Sequence, residues 1–186
     1  MTRIIAGIAG SLTLRVPDAG TRPTSDRVRE AIFSALDARD RCDDAHVLDL
    51  FAGSGALGLE AASRGAASVV LVDSARQAAT IASRNAEAVA RAGAARAQVV
   101  QQTAAAYLAQ TSRTFDLVLV DPPYDLPPGQ LSAVLEALVP VLADDALVVL
   151  EQARRTGAPE LPGDLELART RTHGDTAIHW LVRREA

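Results

Sequence analysis

Short apolar runs separated by helix-like segments dominate the chain between residues 47 and 151. The runs are rich in valine and leucine, which is typical of strands buried on both faces. They predict strands at 47–51, 68–73, 97–101, 115–121 and 146–151. Apolar residues at helical spacing predict helices between these strands, at 57–64, 74–92, 104–110 and 131–142. Such alternation predicts a parallel sheet with helices on both faces.

The two ends of the chain depart from this alternation. Near the N-terminus, strand-like residues 3–6 and 12–16 flank two glycines and predict a small ribbon. An amphipathic pattern at 26–38 follows, and it begins behind side chains that can cap a helix. Near the C-terminus, residues 165–172 and 176–183 predict two strands joined by a hairpin turn.

Together these elements predict an α/β fold. The sheet is expected to be doubly wound, mostly parallel and seven-stranded, with an antiparallel C-terminal hairpin and a small N-terminal β-ribbon plus helix. The predicted division is a β-ribbon extension at residues 1–25 and a main domain at residues 26–186.

A proline corner ends the predicted strand at 115–121. Its sequence is Asp121-Pro122-Pro123-Tyr124. Proline fixes φ and favours extended geometry in the residue before it, so the corner is stiff. At the carboxyl edge of a parallel sheet it faces the crevice in which open α/β folds bind ligands. A carboxylate acceptor beside an aromatic ring suits a flat group that bears an amine, such as a nucleobase.

A glycine turn follows the strand at 47–51 and matches the G-x-G-x-x-G pattern. It runs Gly53-Ser54-Gly55-Ala56-Leu57-Gly58, and Asp73 lies 20 residues past Gly53 at the end of the next strand. This spacing is that of dinucleotide-binding folds, in which the acid binds ribose hydroxyls. Taken alone, the turn supports a nicotinamide or flavin enzyme.

Asp49, just before the turn, argues for a different ligand. A carboxylate there would repel a pyrophosphate at the helix N-terminus. It suits a ligand with cationic or amine groups and no phosphate. S-adenosylmethionine has an ammonium, a sulfonium and a ribose for Asp73, and it is therefore the cofactor that these residues favour.

Composition and charge narrow the class of protein. The 186 residues carry a net charge of −4, which argues against a general nucleic-acid coat, although residues 1–30 hold five arginines and three acids. A single cysteine excludes a disulfide within the chain, and the three histidines lack metal-ligand spacing, so no metal is expected. We find no signal peptide and no membrane-length apolar run, and we expect a cytoplasmic protein.

The two motifs resemble those of class I S-adenosylmethionine-dependent methyltransferases, whose sheet is Rossmann-like. Residues 47–55 are similar to the cofactor loop of that class, and residues 121–124 to the (Asn/Asp)-Pro-Pro-(Tyr/Phe) signature of its amine-methylating members. Residues 3–7, 22–31 and 51–66 more closely resemble the RsmD family, which methylates the N2 amine of a small-subunit ribosomal RNA guanine. The resemblance extends over nearly the whole chain.

The resemblance implies a substrate and a set of site residues. The substrate would be 16S ribosomal RNA at guanine 966, free or in the assembled small subunit, and the enzyme a monomer. The implied catalytic residues are Asp121, Pro122, Pro123 and Tyr124. The implied cofactor-binding residues are Thr24, Asp49, Phe51, Gly53, Gly55, Asp73 and Thr103. The implied RNA-binding residues are Arg3, Arg15, Arg22 and Arg27.

Several alternatives remain open on the residues themselves. Thr24 either contacts the cofactor or caps a helix, and the arginines either bind phosphates or are solvated. Thr103 stands where the family often has Asp or Asn against adenine. Glu151 ends a strand at the same sheet edge, where it either serves the site or pairs structurally. Other functions compatible with the motifs are methylation of DNA adenine N6 or of a protein glutamine, a non-catalytic RNA-binding role, and a nicotinamide enzyme.

Overall fold

The computed structural model describes residues 2–16 and 25–184. The strands in chain order are β1 (Thr2–Arg3), β2 (Thr13–Leu14), β3 (His46–Leu50), β4 (Ser68–Asp73), β5 (Ala97–Gln101), β6 (Phe115–Val120), β7 (Leu142–Ala153), β8 (Leu165–His173) and β9 (Thr176–Arg183). The helices are α1 (Asp26–Asp37), α2 (Ala56–Ser63), α3 (Arg76–Arg91), α4 (Ala104–Leu108) and α5 (Pro128–Leu138). None of these described helices is long and apolar enough to cross a membrane.

The main sheet has seven strands in the order β5-β4-β3-β6-β7-β9-β8. Strands β3 to β7 run parallel, β9 is antiparallel to β7, and β8 is antiparallel to β9. The predicted doubly wound sheet, its C-terminal hairpin and the separate N-terminal ribbon are therefore confirmed. The strand order reverses between β3 and β6, and the carboxyl ends at such a switch point form a ligand-binding crevice.

Alternating residues of the central strands enter two separate hydrophobic cores. In β3, Val47 packs in the core beneath α1, α2 and α3, whereas Leu48 and Leu50 pack in the core beneath α4 and α5. A side-chain period of two and helices on both faces produce this division. Both cores extend to the carboxyl edge of the sheet, so the turns that follow β3 and β6 are supported by packed side chains on both faces.

The N-terminal ribbon packs onto the main domain. Ile4 and Leu14 are fully buried in the first core. The Glu60 carboxylate of α2 accepts the backbone N–H groups of Ile5 at 2.7 Å and Ala6 at 3.0 Å. The division at residue 25 remains a prediction, and these contacts tie the segment on its N-terminal side to α2.

Several predicted boundaries are wrong for identifiable reasons. The ribbon strands are two residues long, not four or five: the N–H groups of Ile5 and Ala6 bond to Glu60, and the backbone of Arg15 bonds to Asn85, in place of a partner strand. Helix α5 begins at Pro128, since a proline is tolerated in the first helical turn. It ends at Leu138 in a 3₁₀ turn around Pro140, and β7 begins directly after that turn.

Candidate active site

The strand before the glycine turn ends one residue earlier than predicted. Strand β3 ends at Leu50, and Phe51 takes a left-handed backbone with φ of 62°. A bulky residue in this region stores strain that surrounding structure must hold. The Ala52 N–H donates to Val72 O at 3.0 Å and fixes the turn against β4. The half-buried Phe51 ring packs against the second core, at the edge where its cofactor role was predicted.

Two glycines of the turn are required for different reasons. Gly55 is the N-cap of α2 and has φ of 81°, which favours glycine. A Cβ at Gly58 would lie 2.4 Å from Leu71 Cδ2, so glycine allows α2 to approach the sheet closely. At Gly53, by contrast, a Cβ would meet no atom within 4 Å, so the space in front of this part of the turn is open to a ligand.

Asp73 at the end of β4 holds the turn from the side. Its Oδ2 accepts the Gly53 N–H at 2.8 Å, and its Oδ1 accepts the Ala75 N–H at 2.8 Å. The carboxylate is only half-buried, and each oxygen retains a further acceptor site. The predicted contact with ribose hydroxyls stays a prediction, and it is compatible with this orientation.

Asp49 is a buried carboxyl group behind the turn. Its side chain is 1% exposed; Oδ2 accepts the Gly58 N–H at 2.8 Å, while Oδ1 is buried with no hydrogen-bond partner among the described residues. Burial raises the pKa of Asp49 from 3.8 to about 8; the Gly58 hydrogen bond opposes this, and the charges of Asp121 and Asp73 add to it. The three acids therefore lie within electrostatic range of one another.

This carboxylate cluster fits a cationic ligand and disfavours a dinucleotide. A pyrophosphate at the N-terminus of α2 would face the charge of Asp73 at short range and would further oppose ionisation of Asp49. An ammonium or sulfonium group would instead favour the ionised form of Asp49, and a donor could satisfy its buried Oδ1. The residues thus fit S-adenosylmethionine.

The proline corner follows β6, the strand next to β3. The N–H of Asp121 lies 3.5 Å from the carbonyl oxygen of Leu50, so the corner adjoins the glycine turn. The Leu126 N–H donates to Pro123 O at 2.9 Å and closes the corner into a turn. Tyr124 is 61% exposed at the rim, where its ring is available to a partner. A pocket at this corner is lined by Asp121, Pro122, Pro123, Tyr124, Leu126, Leu131, Glu151, Gln152, Ala153 and Thr156.

The remaining predicted site residues are less closely grouped. Thr103 follows β5 at the same edge, and its Oγ1 accepts the Ala106 N–H at 3.2 Å as the cap of α4. The side chains of Arg3, Arg15 and Arg27 are exposed. Thr24 and Arg22 lie outside the described residues; Ser25 is the N-cap of α1. Within the described ranges, no three His, Cys, Asp or Glu side chains are grouped so that they could hold a metal ion.

Asn85 is a site-supporting residue that the sequence did not reveal. From α3, its Nδ2 donates to Ser54 O at 2.8 Å and to Arg15 O at 2.9 Å, while its Oδ1 accepts the Arg15 N–H at 2.9 Å. It thereby joins the end of the ribbon to the glycine turn. In sequence it is one polar residue in an amphipathic helix, and only its 2% exposure distinguishes it.

Asn85→Ala is expected to lower the free energy of unfolding by about 1.5–3 kcal/mol, because three hydrogen bonds are lost and buried backbone groups are left unsatisfied. Urea unfolding followed by the fluorescence of Trp180, the only tryptophan, measures the change. Arg84→Ala, an exposed neighbour on the same helix, should change stability by no more than about 0.5 kcal/mol. Equal stability of the two variants would contradict the role given to Asn85.

Comparison with known proteins agrees with this architecture. Residues 2–182 match the model of the family described as Conserved hypothetical protein 95. The chain is 41% identical over 187 aligned positions to an Escherichia coli protein named ribosomal RNA small subunit methyltransferase D, covering 99% of this chain and 90% of that protein.

Solved structures show the same similarity. A hypothetical protein of Thermus thermophilus is 31% identical and superposes with a TM-score of 0.83, covering 99% of this chain and all of that one. A magnesium protoporphyrin IX methyltransferase from Synechocystis, solved with bound S-adenosylmethionine, is 19% identical with a TM-score of 0.69, covering 89% and 87% of the two chains. At that identity the last similarity shows the fold alone.

Proposed function

The chain belongs to the Conserved hypothetical protein 95 family, the RsmD family, and on that premise we propose that it transfers a methyl group from S-adenosylmethionine to the N2 amine of a guanine in 16S ribosomal RNA. The proposed target is guanine 966. The observation that carries the proposal is the convergence of Asp49 and Asp73 at the glycine turn with Asp121 at the proline corner, on adjacent strand ends.

The glycine turn would hold the cofactor. When bound, S-adenosylmethionine supplies an electrophilic methyl group on a sulfonium. Asp49 would pair with the ammonium group of the ligand, which S-adenosylhomocysteine retains, through its buried Oδ1, and Asp73 would accept from ribose hydroxyls beside the open space at Gly53. Phe51 and Thr103 follow β3 and β5 at the same sheet edge, and they would contact the adenine end of the cofactor.

Cofactor affinity is expected to rise with pH up to about 8, because pairing with a cation requires Asp49 to lose the proton that it holds below its pKa of about 8. The slope is at most about tenfold per pH unit. Calorimetry with S-adenosylhomocysteine between pH 6 and 9 measures it. Asn at this position cannot titrate, so Asp49→Asn should bind more weakly at pH 9 and lose the slope; the same slope in this variant would refute the assignment to Asp49.

Protonation of Asp49 also affects the stability of the ligand-free protein, which should decrease, not increase, as pH rises. The folded state holds a proton on Asp49 that the unfolded state releases near pH 4, so the free energy of unfolding should fall as pH rises from about 4 to about 8. Above about pH 8, Asp49 is deprotonated in both the folded and the unfolded state, and its proton no longer stabilises the folded state.

The proline corner would hold the substrate amine. The guanine N2 lone pair is conjugated with the ring and must become more tetrahedral before it attacks a methyl group. Asp121 and the Pro122 carbonyl would accept the two amine hydrogens and favour that geometry, while Tyr124 stacks on a base flipped out of its helix. Asp121 need not be a strong base, because the amine proton becomes acidic only as the new N–C bond forms. Alignment of amine and methyl for in-line attack supplies much of the remaining acceleration.

The RNA would approach across the N-terminal segment. Residues 1–30 carry five arginines and three acids in a chain of net charge −4, so this is where phosphate contacts are favoured. Exposed Arg3, Arg15 and Arg27 are the proposed contacts within the described residues. Asn85 holds Arg15 against the glycine turn, so this part of the ribbon is adjacent to the cofactor site. We propose that the enzyme works as a monomer in the cytoplasm.

Transfer of labelled methyl groups tests the proposal. The purified protein is incubated with small-subunit RNA from a strain that lacks the enzyme, supplied as naked RNA, as ribonucleoprotein and as assembled subunits. We expect N2-methylguanosine at one mapped position. No incorporation into any of the three would refute the proposal, and label in N6-methyladenosine or methylglutamine would identify the alternative substrates.

A further inference from the structure

The pocket at the proline corner contains a second acid, Glu151. Val120 of β6 pairs with Leu150 of β7, so Asp121, just after β6, and Glu151, within β7, lie side by side with backbones about 5 Å apart across the sheet. Both line the same pocket, together with Pro122 and Tyr124. Glu151 also pairs with Ile178 of β9, which places its backbone within a regular ladder. The position of this carboxylate is therefore set by the sheet and not by a loop.

The pocket wall beside the catalytic corner is rich in hydrogen-bond acceptors. Glu151 is 6% exposed, and the two oxygens of a carboxylate together offer about four acceptor sites, so it can serve a ligand as well as the protein. Its neighbour Gln152 lines the same pocket, and the Oε1 atom of Gln152 is buried with no hydrogen-bond partner among the described residues. Gln152 follows Glu151 in β7 and its side chain lies on the other face of the sheet, so the acceptors that this wall shares are the carboxylates of Asp121 and Glu151. A wall of this kind suits a ligand edge that carries several donors.

The purines differ at the edge that this wall would meet. Guanine presents an N1–H donor directly beside the N2 amine, whereas adenine has a bare N1 that accepts. We propose that Glu151 selects guanine by accepting its N1–H while Asp121 accepts from N2–H, an inference that rests on the proposed function. A base with an unprotonated N1 would place a lone pair against the Glu151 carboxylate. Asp121 and its prolines fit an amine on any planar ring, and Glu151 adds the discrimination between rings.

The substrate itself provides a test without a variant. The RNA carries 2-aminopurine in place of guanine at the mapped position, in whichever substrate form accepts methyl from the wild-type protein. This base keeps the N2 amine but has an unprotonated N1. We expect the wild-type kcat/KM for 2-aminopurine to be at most about one hundredth of that for guanine. Equal rates on the two bases would overturn the proposal.

The variant Glu151→Gln tests whether Glu151 causes the preference for guanine. The amide keeps the shape of the side chain and can donate to an unprotonated N1. We expect kcat/KM for guanine to fall about 10- to 100-fold and kcat/KM for 2-aminopurine to change less, so that the preference shrinks at least about tenfold. Glu151→Asp keeps the charge and should lower the rate while retaining the preference. Glu136→Gln, exposed on α5 outside the pocket, should behave as wild type.

The outcomes separate this inference from the proposed function. No transfer to guanine by the wild-type protein refutes the proposed function. Transfer to guanine with an unchanged base preference in Glu151→Gln refutes the inference alone, because a purely structural role would lower both rates equally. If Glu151→Gln fails to bind S-adenosylhomocysteine, the wild-type preference and Glu151→Asp decide the question. If Glu151→Asp loses the preference for guanine over 2-aminopurine, the proposal that the carboxylate accepts the N1–H is contradicted.

Discussion

Asp121→Ala is expected to lower the rate of methyl transfer by at least about 10³-fold, because it removes the acceptor that orients the substrate amine. Asp121→Asn keeps one acceptor oxygen in the same place, and we expect a smaller loss of about 10- to 100-fold. The comparison separates two roles: an acceptor is partly replaced by an amide, whereas a base is not. Single-turnover transfer to the active form of the RNA measures both rates. Equal losses in the two variants would assign Asp121 the role of a base.

Cofactor binding supplies the control for these variants. The charge of Asp121 raises the pKa of Asp49, so its removal should lower that pKa and slightly favour binding of a cation near neutral pH. We therefore expect S-adenosylhomocysteine affinity to stay within a few-fold of wild type, with the midpoint of its pH dependence shifted downward. A loss of affinity that matches the loss of rate would mean that Asp121 supports the structure of the site.

The parts of the site that follow directly from strand ends were predictable from the sequence. Asp49, Gly53, Asp73 and Asp121 each stand at or just after a run that forms a buried parallel strand. Because parallel strands with crossover helices end at one edge, their chain order alone brings these residues together. The spacing of the motifs therefore predicted which residues lie near one another in the fold, and the two acids next to the turn indicated a cationic ligand.

Residues whose role depends on distant partners were not predictable in the same way. Asn85 bonds to a residue 70 positions earlier in the chain, and Glu60 bonds to residues 54 and 55 positions earlier. Each looks at first like an ordinary polar residue on a helix, and for Asn85 nothing in the local pattern distinguishes it from a solvated one. A more useful signal for Glu60 was its place in a short, otherwise apolar segment, since α2 is buried along nearly its whole length.

The backbone strain at Phe51 was also not predictable from the sequence. The pattern predicted that Phe51 continues the strand, since an aromatic residue after Leu50 suits extended geometry. Its left-handed conformation arises from the need to turn the chain immediately, with Ala52 bonded to β4 and Gly53 bonded to Asp73. Tertiary contacts thus overrode the local preference, and they did so at the centre of the proposed cofactor site, where stored strain is often found.

A buried carboxylate contributes to the attachment of the N-terminal ribbon. Glu60 has no exposed surface; it accepts the N–H groups of Ile5 and Ala6, and its Oε1 accepts Arg64 Nε at 2.8 Å. Burial lowers the pKa of the nearby Arg29 guanidinium, and the Glu60 charge opposes that effect. Removing the carboxylate would leave two backbone donors unsatisfied and would take away the buried partner of Arg64 Nε.

Glu60→Ala is therefore expected to lower the free energy of unfolding by about 3–5 kcal/mol, the cost of breaking a buried ion pair from one side. Trp180 reports the transition directly, since it is 3% exposed in the same core as Ile4. Glu87→Ala provides the matched control: its carboxylate is exposed on α3 and lies 3.9 Å from Arg91, and such a pair contributes at most about 1 kcal/mol. If Glu60→Ala loses no more stability than this control, the carboxylate is dispensable for attachment, and the ribbon is held by its other contacts, among them the burial of Ile4 and Leu14 and the hydrogen bonds of Asn85.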